Sequence, residues 1–164
     1  MVWSLYDAEK EPFSWFIINN FFNEEEFSLI DQLKERQRAD VKPAGIKDIT
    51  GNKATDNKVR RSGVSFIDPG NGTEWLYRKA TDMVNHVNNL NYCFDLFTLN
   101  PLQYSIYKSD DAGFYDWHTD GGLQSNRYKI IRKLSFSILM TDDFEGGKFQ
   151  IKTNTVKGNN VETV

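Results

Sequence analysis

The residues best suited to chemistry in this sequence are a histidine and an aspartate, His118 and Asp120, with Thr119 between them. On a β-strand, residues i and i+2 project from the same face, so an imidazole and a carboxylate at this spacing can converge on one cation. On a helix the two side chains would diverge. Both groups suit a divalent metal, and a second histidine would complete a facial triad with open positions for substrate and oxygen. The spacing therefore predicts two ligands of a metal site capable of oxygen chemistry.

The same residues also suit a surface turn. Asp120 is followed by Gly121 and Gly122, and an aspartate before glycine is typical of turns. His118 would then be merely solvated. A motif of two residues is weak on its own, so the elements around it have to decide between a metal site and a turn.

Two helices are expected in the first half of the chain. Asn23 is a suitable N-cap, Glu26 follows it at the spacing of a capping box, and this helix should end near Arg38. Thr73 or an adjacent residue should cap the second helix. The apolar positions of the second helix recur at helical spacing and should face a sheet; they are Leu76, Ala80, Met83, Val87 and Leu90.

Strand-like segments lie on either side of these helices. Residues 13–22 are rich in aromatic and β-branched side chains, and residues 60–68 form another strand-like run. From residue 94 the hydrophobic period changes to two, which predicts strands at residues 94–99, 102–107, 132–140 and 148–152. Within residues 132–140 one face carries Leu134, Phe136, Ile138 and Met140.

The segment between the first helix and the next strand, residues 40–58, is polar. It contains Pro43, Gly45 and Gly51 and shows neither helical nor strand periodicity. We expect a mobile loop here, either a lid over a site or a disordered segment. Helices first and antiparallel strands afterwards favour an α+β domain whose helices support one face of a β-sandwich.

Composition narrows the class of protein. A content of 39% apolar and 26% charged residues is typical of a globular domain, and 164 residues favour a single one, with a supporting part at 1–92 and a strand-rich part at 93–164. The net charge of -3 does not suggest nucleic-acid binding, and no segment is apolar enough to span a membrane, so we expect a cytoplasmic protein. The single cysteine, Cys93, excludes an internal disulfide and is expected to be buried and inert.

Four segments occur in the order and spacing of a known family. They are residues 102–107 (LQYSIY), 114–120 (FYDWHTD), 132–137 (RKLSFS) and 144–147 (FEGG). With them the chain resembles the prolyl 4-hydroxylase-like 2-oxoglutarate and iron(II)-dependent dioxygenases, and residues 16–38 are similar to that family's N-terminal support element. The resemblance implies a double-stranded β-helix, or jelly roll, with supporting N-terminal helices, iron(II) at its mouth and 2-oxoglutarate beside the metal.

The resemblance also implies roles for individual residues. His118 and Asp120 would be the first two iron ligands and thus the catalytic centre. Tyr107 would border the cosubstrate, and Tyr115 would line the substrate entrance. Aromatic packing with the hydroxyl at the rim is an equal alternative for both tyrosines. Tyr104 alternates to the opposite face from Tyr107 and is expected in the core.

Three further positions have simpler explanations. Arg132 could hold an acidic group near the metal, but a surface role at the end of a strand is the preferred interpretation. His86, the other histidine, falls on the second predicted helix, so we reject it as a ligand. Gly146 and Gly147 allow a tight turn and a close approach of the backbone.

The match to the family pattern is incomplete at the C-terminal end. The pattern requires a second histidine ligand and then a basic residue for the far carboxylate of 2-oxoglutarate, whereas residues 153–164 contain neither histidine nor arginine. A position that contacts the cosubstrate in the family falls on Leu139, which cannot hydrogen-bond. We therefore expect a truncated sequence that lacks the last strands and binds metal loosely through two protein ligands.

The function implied by the resemblance is a 2-oxoglutarate- and iron(II)-dependent hydroxylase, which converts 2-oxoglutarate to succinate while hydroxylating a C–H bond. Ascorbate is a further candidate cofactor. A peptide or protein is the candidate substrate, with peptidyl proline as first choice. Two alternatives stay open, a non-catalytic jelly-roll binding module and another cupin-type metalloenzyme, because fold and motif alone do not fix function.

Overall fold

A computed structural model describes residues 15–47, 53–54, 56–120, 123–125, 130–155 and 158–163. The described residues contain two helices, α1 (Glu24–Arg38) and α2 (Glu74–Asn91). The strands are short; they are β1 (Lys42–Pro43), β2 (Ile46–Lys47), β3 (Lys53–Ala54), β4 (Arg60–Arg61), β5 (Gly63–Ile67), β6 (Leu102–Ile106), β7 (Phe114–Tyr115), β8 (Leu123–Ser125), β9 (Ile130–Ile131), β10 (Gln150–Thr155) and β11 (Gly158–Thr163).

All the strand pairs among the described residues are antiparallel. The largest sheet has the order β1-β5-β6, with Ser65 opposite Tyr104 in its register. In the described part of the chain, four two-stranded pairs accompany it: β2 with β3, β4 with β7, β8 with β9, and β10 with β11. The β4–β7 pair matters most for function because β7 leads directly into the segment that carries His118.

Helix α1 begins and ends where the sequence predicts. The Asn23 side chain accepts a hydrogen bond from the backbone N–H of Glu26 at 2.9 Å, and the Glu26 carboxylate accepts one from the backbone N–H of Asn23 at 2.8 Å. This reciprocal capping box satisfies two N–H groups that the helix cannot satisfy internally. Ile30 and Leu33 form the buried face of α1, while Phe27 is 54% exposed.

Helix α2 also begins at the predicted cap, although Thr73 acts differently from a standard N-cap. Its hydroxyl oxygen lies 2.6 Å from the carbonyl oxygens of Asp68 and Gly70, so the side chain stabilises the preceding turn and not the first turn of the helix. Leu76 and Ala80 are buried as the stripe predicts, but the stripe fades toward the C-terminal end, where Leu90 is 68% exposed.

The core lies between the two helices and the β1-β5-β6 sheet. Its buried side chains are Phe22, Ile30, Leu33, Ile67, Leu76 and Tyr104. The Tyr77 hydroxyl joins α2 to the sheet, since it donates to the carbonyl oxygen of Ile67 and accepts from the backbone N–H of Leu102. All buried residues in the described part of the chain lie between Phe22 and Tyr104.

Several sequence-based expectations for the strands need correction. Residues 15–22 and 94–99 form no strand, although both are rich in apolar side chains; the remaining part of the first segment, residues 13–14, lies outside the described residues. Residues 40–58 are not a structureless loop, because β1 joins the main sheet through β5 and β2 pairs with β3. Residues 48–52 and 55 of that segment lie outside the described residues.

Residues 132–140 keep the predicted alternation but form no strand ladder among the described residues. The positions of Leu134, Phe136, Ile138 and Met140 are half-buried, whereas the intervening residues are exposed. Ile138 and Met140 pack against the core. Further along, Gly146 and Gly147 have φ values of +81° and +57°, a backbone conformation that glycine adopts without strain. A bend at Glu145 precedes them, and the tight turn stays a prediction.

At the level of fold class, the described residues combine two helices with small antiparallel sheets. These sheets do not close into a barrel within that part of the chain, so the jelly roll stays a prediction, as does the single domain over 1–164. Neither of the described helices is both long enough and apolar enough to cross a membrane. Cys93 is exposed, which shows that the expectation of a buried thiol is wrong.

Candidate metal centre

His118 and Asp120 lie next to each other in the structure. The Nε2 atom of His118 is 3.5 Å from Oδ1 of Asp120, and both side chains are partly exposed, at 38% and 46%. The strand ladder of β7 ends at Tyr115, so the two side chains do not converge through a strand, as their spacing suggested, but in the segment that follows it. Gly121 and Gly122, on which the turn interpretation rests, lie outside the described residues.

A backbone contact orients the imidazole of His118. Its Nδ1 atom lies 2.8 Å from the carbonyl oxygen of Asp116. Because a carbonyl oxygen only accepts, this contact assigns the proton to Nδ1 and, in the neutral ring, leaves the Nε2 lone pair free on the side of Asp120. A hydrogen bond of this kind on the far ring nitrogen is the usual support for a histidine that ligates a metal.

The neighbouring strand holds this segment in place. Arg60 of β4 lies opposite Tyr115 of β7 in the antiparallel register, and Arg61 lies opposite Phe114. Just beyond the ladder, the backbone N–H of Asp116 donates to the carbonyl oxygen of Val59 at 2.9 Å. The segment that carries His118 and Asp120 is therefore hydrogen-bonded to the β4 region as far as Asp116, whose carbonyl oxygen orients His118.

The Tyr115 ring contacts two functional groups of the site. It stacks on the His118 imidazole with ring centroids 3.7 Å apart and planes 17° apart. The Arg60 guanidinium carbon lies 4.4 Å from the centroid of the same ring. Tyr115 is 37% exposed, and its ring, not its hydroxyl, makes these contacts, so aromatic packing explains at least part of its position.

Arg132 belongs to the site, contrary to the surface role that the sequence favours. Its Nη1 atom is 3.4 Å from Oδ1 of Asp120, the same oxygen that faces His118. The guanidinium places a positive charge beside the carboxylate and restricts its orientation. The sequence could not decide this contact because twelve positions separate the two residues and neither lies in a described strand.

Arg60 is the functional candidate that the sequence interpretation missed. It is only 7% exposed, and its Nε atom donates to the Ser62 hydroxyl at 2.9 Å. Its Nη2 atom lies 3.4 Å from the hydroxyl oxygens of both Ser105 and Tyr107. Tyr107, the residue predicted to contact the cosubstrate, is 45% exposed. It therefore lies at the edge of the site, and its hydroxyl contacts Arg60. An arginine that opens a predicted strand is the signal that could have found this residue.

The donor set fits a divalent metal only in part. Two ligand atoms that each lie about 2.1 Å from one ion such as zinc are about 3–4 Å apart, and the 3.5 Å between Nε2 and Oδ1 falls in that range. Within the described ranges, however, no three His, Cys, Asp or Glu side chains come together as a metal-binding group. His86 is exposed on α2, in agreement with its rejection as a ligand.

Comparisons of the chain with protein-family models, with curated proteins and with solved structures found no match.

Proposed function

We propose that the site at His118 and Asp120 binds iron(II) and serves the 2-oxoglutarate-dependent hydroxylation of a C–H bond, with a peptide or protein as substrate and peptidyl proline as first choice. The observation that carries this proposal is the 3.5 Å approach of Nε2 of His118 to Oδ1 of Asp120. The four ordered segments that resemble the dioxygenase family support the class of reaction. Cytoplasmic location and ascorbate as a further cofactor are part of the same proposal.

Each residue of the site has a defined task in this proposal. Iron(II), 2-oxoglutarate and dioxygen together supply the oxidising chemistry, while the protein holds and orients the groups involved. His118 and Asp120 would be the two protein ligands. The Asp116 carbonyl oxygen holds the His118 tautomer at a distance of 2.8 Å. The Arg132 guanidinium steadies the Asp120 carboxylate.

The two tyrosines would act at the rim of the site. The Tyr107 hydroxyl, which accepts from Nη2 of Arg60 at 3.4 Å, is the proposed contact for the cosubstrate. The Tyr115 ring covers the His118 imidazole on one side. In the proposal it also lines the entrance through which the substrate reaches the metal.

A comparison of the two histidines tests the metal site. We expect His118→Ala to weaken iron(II) binding at least tenfold, since losing even a supporting partner of a metal ligand weakens binding by about 10- to 100-fold. His86→Ala is the matched control, because it removes the other histidine from an exposed position on α2. Iron binding is measured by anaerobic calorimetry, and folding by circular dichroism. Equal iron affinities in the two variants would exclude the proposed site.

A second measurement tests the reaction class. The hydroxylase proposal requires that the protein form succinate from 2-oxoglutarate only when iron(II) is added, and that His118→Ala lose this activity. The second candidate function is a non-catalytic binding module that holds a metal through the same pair, since the 3.5 Å approach of His118 to Asp120 fits a bound ion whether or not a reaction follows. The decisive form of this measurement uses a version of the protein that is extended past Val164 and carries a second histidine and a basic residue there. In that version, iron binding that depends on His118 without consumption of 2-oxoglutarate would support the module and overturn the hydroxylase.

A further inference from the structure

A cavity of about 450 Å³ is linked to the candidate metal centre through Arg60, which lines the cavity and contacts the Tyr115 ring. Its walls come from β1 and its flanks, from β4 and the start of β5, and from the chain just after β6. Four cationic side chains line it, whereas Asp111 is the one acidic residue in the lining. We call this cavity the basic groove, and its cations are Lys42, Arg60, Arg61 and Lys108.

Arg60 is the most informative residue of the basic groove. It is 7% exposed, yet its hydrogen-bond partners in the described part of the chain are the hydroxyl groups of Ser62, Ser105 and Tyr107. The Tyr115 ring adds a cation–π contact at 4.4 Å. None of these partners carries a negative charge. Burying a cation without a counter-charge is unfavourable, so the position favours an anionic ligand in the groove.

The other cations extend this positive charge away from the metal centre. Arg61 is held in the wall, because its Nη1 atom donates to the Asp111 carbonyl oxygen at 2.8 Å and its guanidinium carbon lies 5.3 Å from the Phe114 ring centroid. Lys42 and Lys108 are exposed at the groove. Arg60 therefore lies at the end of the groove that contacts the stacked rings of Tyr115 and His118. The two lysines lie in the solvent-exposed part of the groove.

We propose that the basic groove binds an acidic peptide segment of the substrate and thereby directs a neighbouring residue toward His118 and Asp120. This inference rests on the proposed hydroxylase function. Asp111 offsets one of the four cations, which leaves a net charge of about +3 in the lining. A small dicarboxylate can neutralise only two of these charges, whereas an extended peptide presents carboxylates about 7 Å apart on side chains i and i+2. A segment with alternating acidic residues therefore matches the charge of the groove better than a small anion does.

The proposal is tested by the binding of two peptides whose termini are blocked and therefore uncharged. The probe is an acetylated and amidated hexapeptide of alternating glycine and glutamate, and its control has glutamine in place of glutamate. We expect calorimetry at low salt to show at least tenfold tighter binding of the glutamate peptide, and this preference should shrink as salt is added. Glutarate is tested in parallel, and it should bind more weakly than the glutamate peptide.

Charge-reversal variants locate the binding site. Lys42→Glu combined with Lys108→Glu should weaken binding of the glutamate peptide at least tenfold. The matched control is Lys148→Glu combined with Lys152→Glu, which makes the same change in net charge at exposed lysines outside the groove lining and should have less than a threefold effect. Both pairs are surface substitutions, and circular dichroism checks that the variants fold. Equal effects of the two pairs, or equal affinity for the glutamine peptide or for glutarate, would overturn the acidic-peptide proposal.

The peptide experiment needs neither iron nor turnover, so its result is separate from the tests of the hydroxylase. If iron binding is unaffected by His118→Ala but the peptide still binds through Lys42 and Lys108, the hydroxylase proposal fails and the groove stands as a binding site for acidic peptides. If iron binding and succinate formation depend on His118 but the peptide does not bind, the hydroxylase stands and the substrate inference fails.

Discussion

Tyr104 and Tyr107 are three positions apart at the end of β6, yet Tyr104 is 7% exposed and Tyr107 is 45% exposed. Tyr104 belongs to the core between the helices and the sheet, whereas the Tyr107 hydroxyl contacts Arg60 at the edge of the candidate metal centre. The core is apolar and shielded from solvent. The candidate metal centre consists of an imidazole, a carboxylate, two guanidinium groups and aromatic rings, and its two proposed ligands are partly exposed.

The difference between the two regions shows which property each one controls. In the core, the burial of apolar side chains stabilises the fold. In the candidate metal centre, hydrogen bonds, ion pairs and ring stacking orient a few polar groups, and partly exposed contacts of this kind contribute little to folding. Substitutions in the core should therefore lower the free energy of unfolding, while substitutions in the metal centre should lower metal affinity and leave folding intact.

The largest effect is expected in the core. Ile30 is 2% exposed, and replacing a buried isoleucine by alanine costs about 2–5 kcal/mol through lost burial and the remaining cavity. Ile30→Ala should lower the urea midpoint accordingly. Leu29→Ala, on the same helix at a position that is 43% exposed, is the control and should have a much smaller effect. A similar loss in both variants would show that α1 does not pack on the core as described.

The second-largest loss of stability is expected from a substitution at the N-terminus of α1. Asn23→Ala removes the side chain that accepts from the backbone N–H of Glu26, and loss of such a cap costs about 1 kcal/mol. Urea denaturation should show this loss without any change in iron affinity. Asn19→Ala, at an exposed position before the helix, should leave the unfolding curve unchanged. An altered iron affinity in the Asn23 variant would mean that core and metal centre are coupled.

A substitution in the metal centre should show the opposite behaviour. Tyr115→Leu removes the ring that stacks on His118, and a stacked pair contributes about 0.5–1.5 kcal/mol. Iron(II) affinity should fall about two- to tenfold, since 1.4 kcal/mol corresponds to a factor of ten. Tyr115→Phe keeps the ring and should retain the affinity. If phenylalanine behaves like leucine, the hydroxyl and not the stacking is responsible.

The smallest expected effect is a pH dependence of the free energy of unfolding. The Lys79 ammonium, and secondarily the backbone N–H of Asn23, hold the pKa of the Glu26 carboxyl below its ordinary value of 4.5. A lowered pKa in the folded state means that this interaction stabilises the fold above about pH 4.5 and that the contribution is lost as the pH falls through the lowered pKa. The urea midpoint of the wild type should drop more than that of Glu26→Gln between pH 6 and pH 3. Parallel curves for the two proteins would contradict a lowered pKa.

Local signals explain why the helices were predicted correctly. The capping box at Asn23 and Glu26 acts within one helical turn, so its geometry follows from residues that are close in sequence. The alternating burial of residues 132–140 is equally local, because it depends only on the period of two. The strand predictions for 15–22 and 94–99 failed because a strand also requires a hydrogen-bonding partner, and β-propensity does not specify one.

The sequence by itself determined both ends of α1, the start of α2 and the apolar face of residues 132–140. It also placed His118 and Asp120 at a spacing that allows both to contact one metal ion. Only the tertiary structure decided that Arg132 faces Asp120 and that Arg60 is buried beside Tyr115 and Tyr107. These contacts join β4 to β7 and to the end of β6, and they join the segment after β9 to the segment after β7. No local sequence pattern specifies these contacts, because they depend on which strands pair and on which distant segments of the chain then lie next to each other.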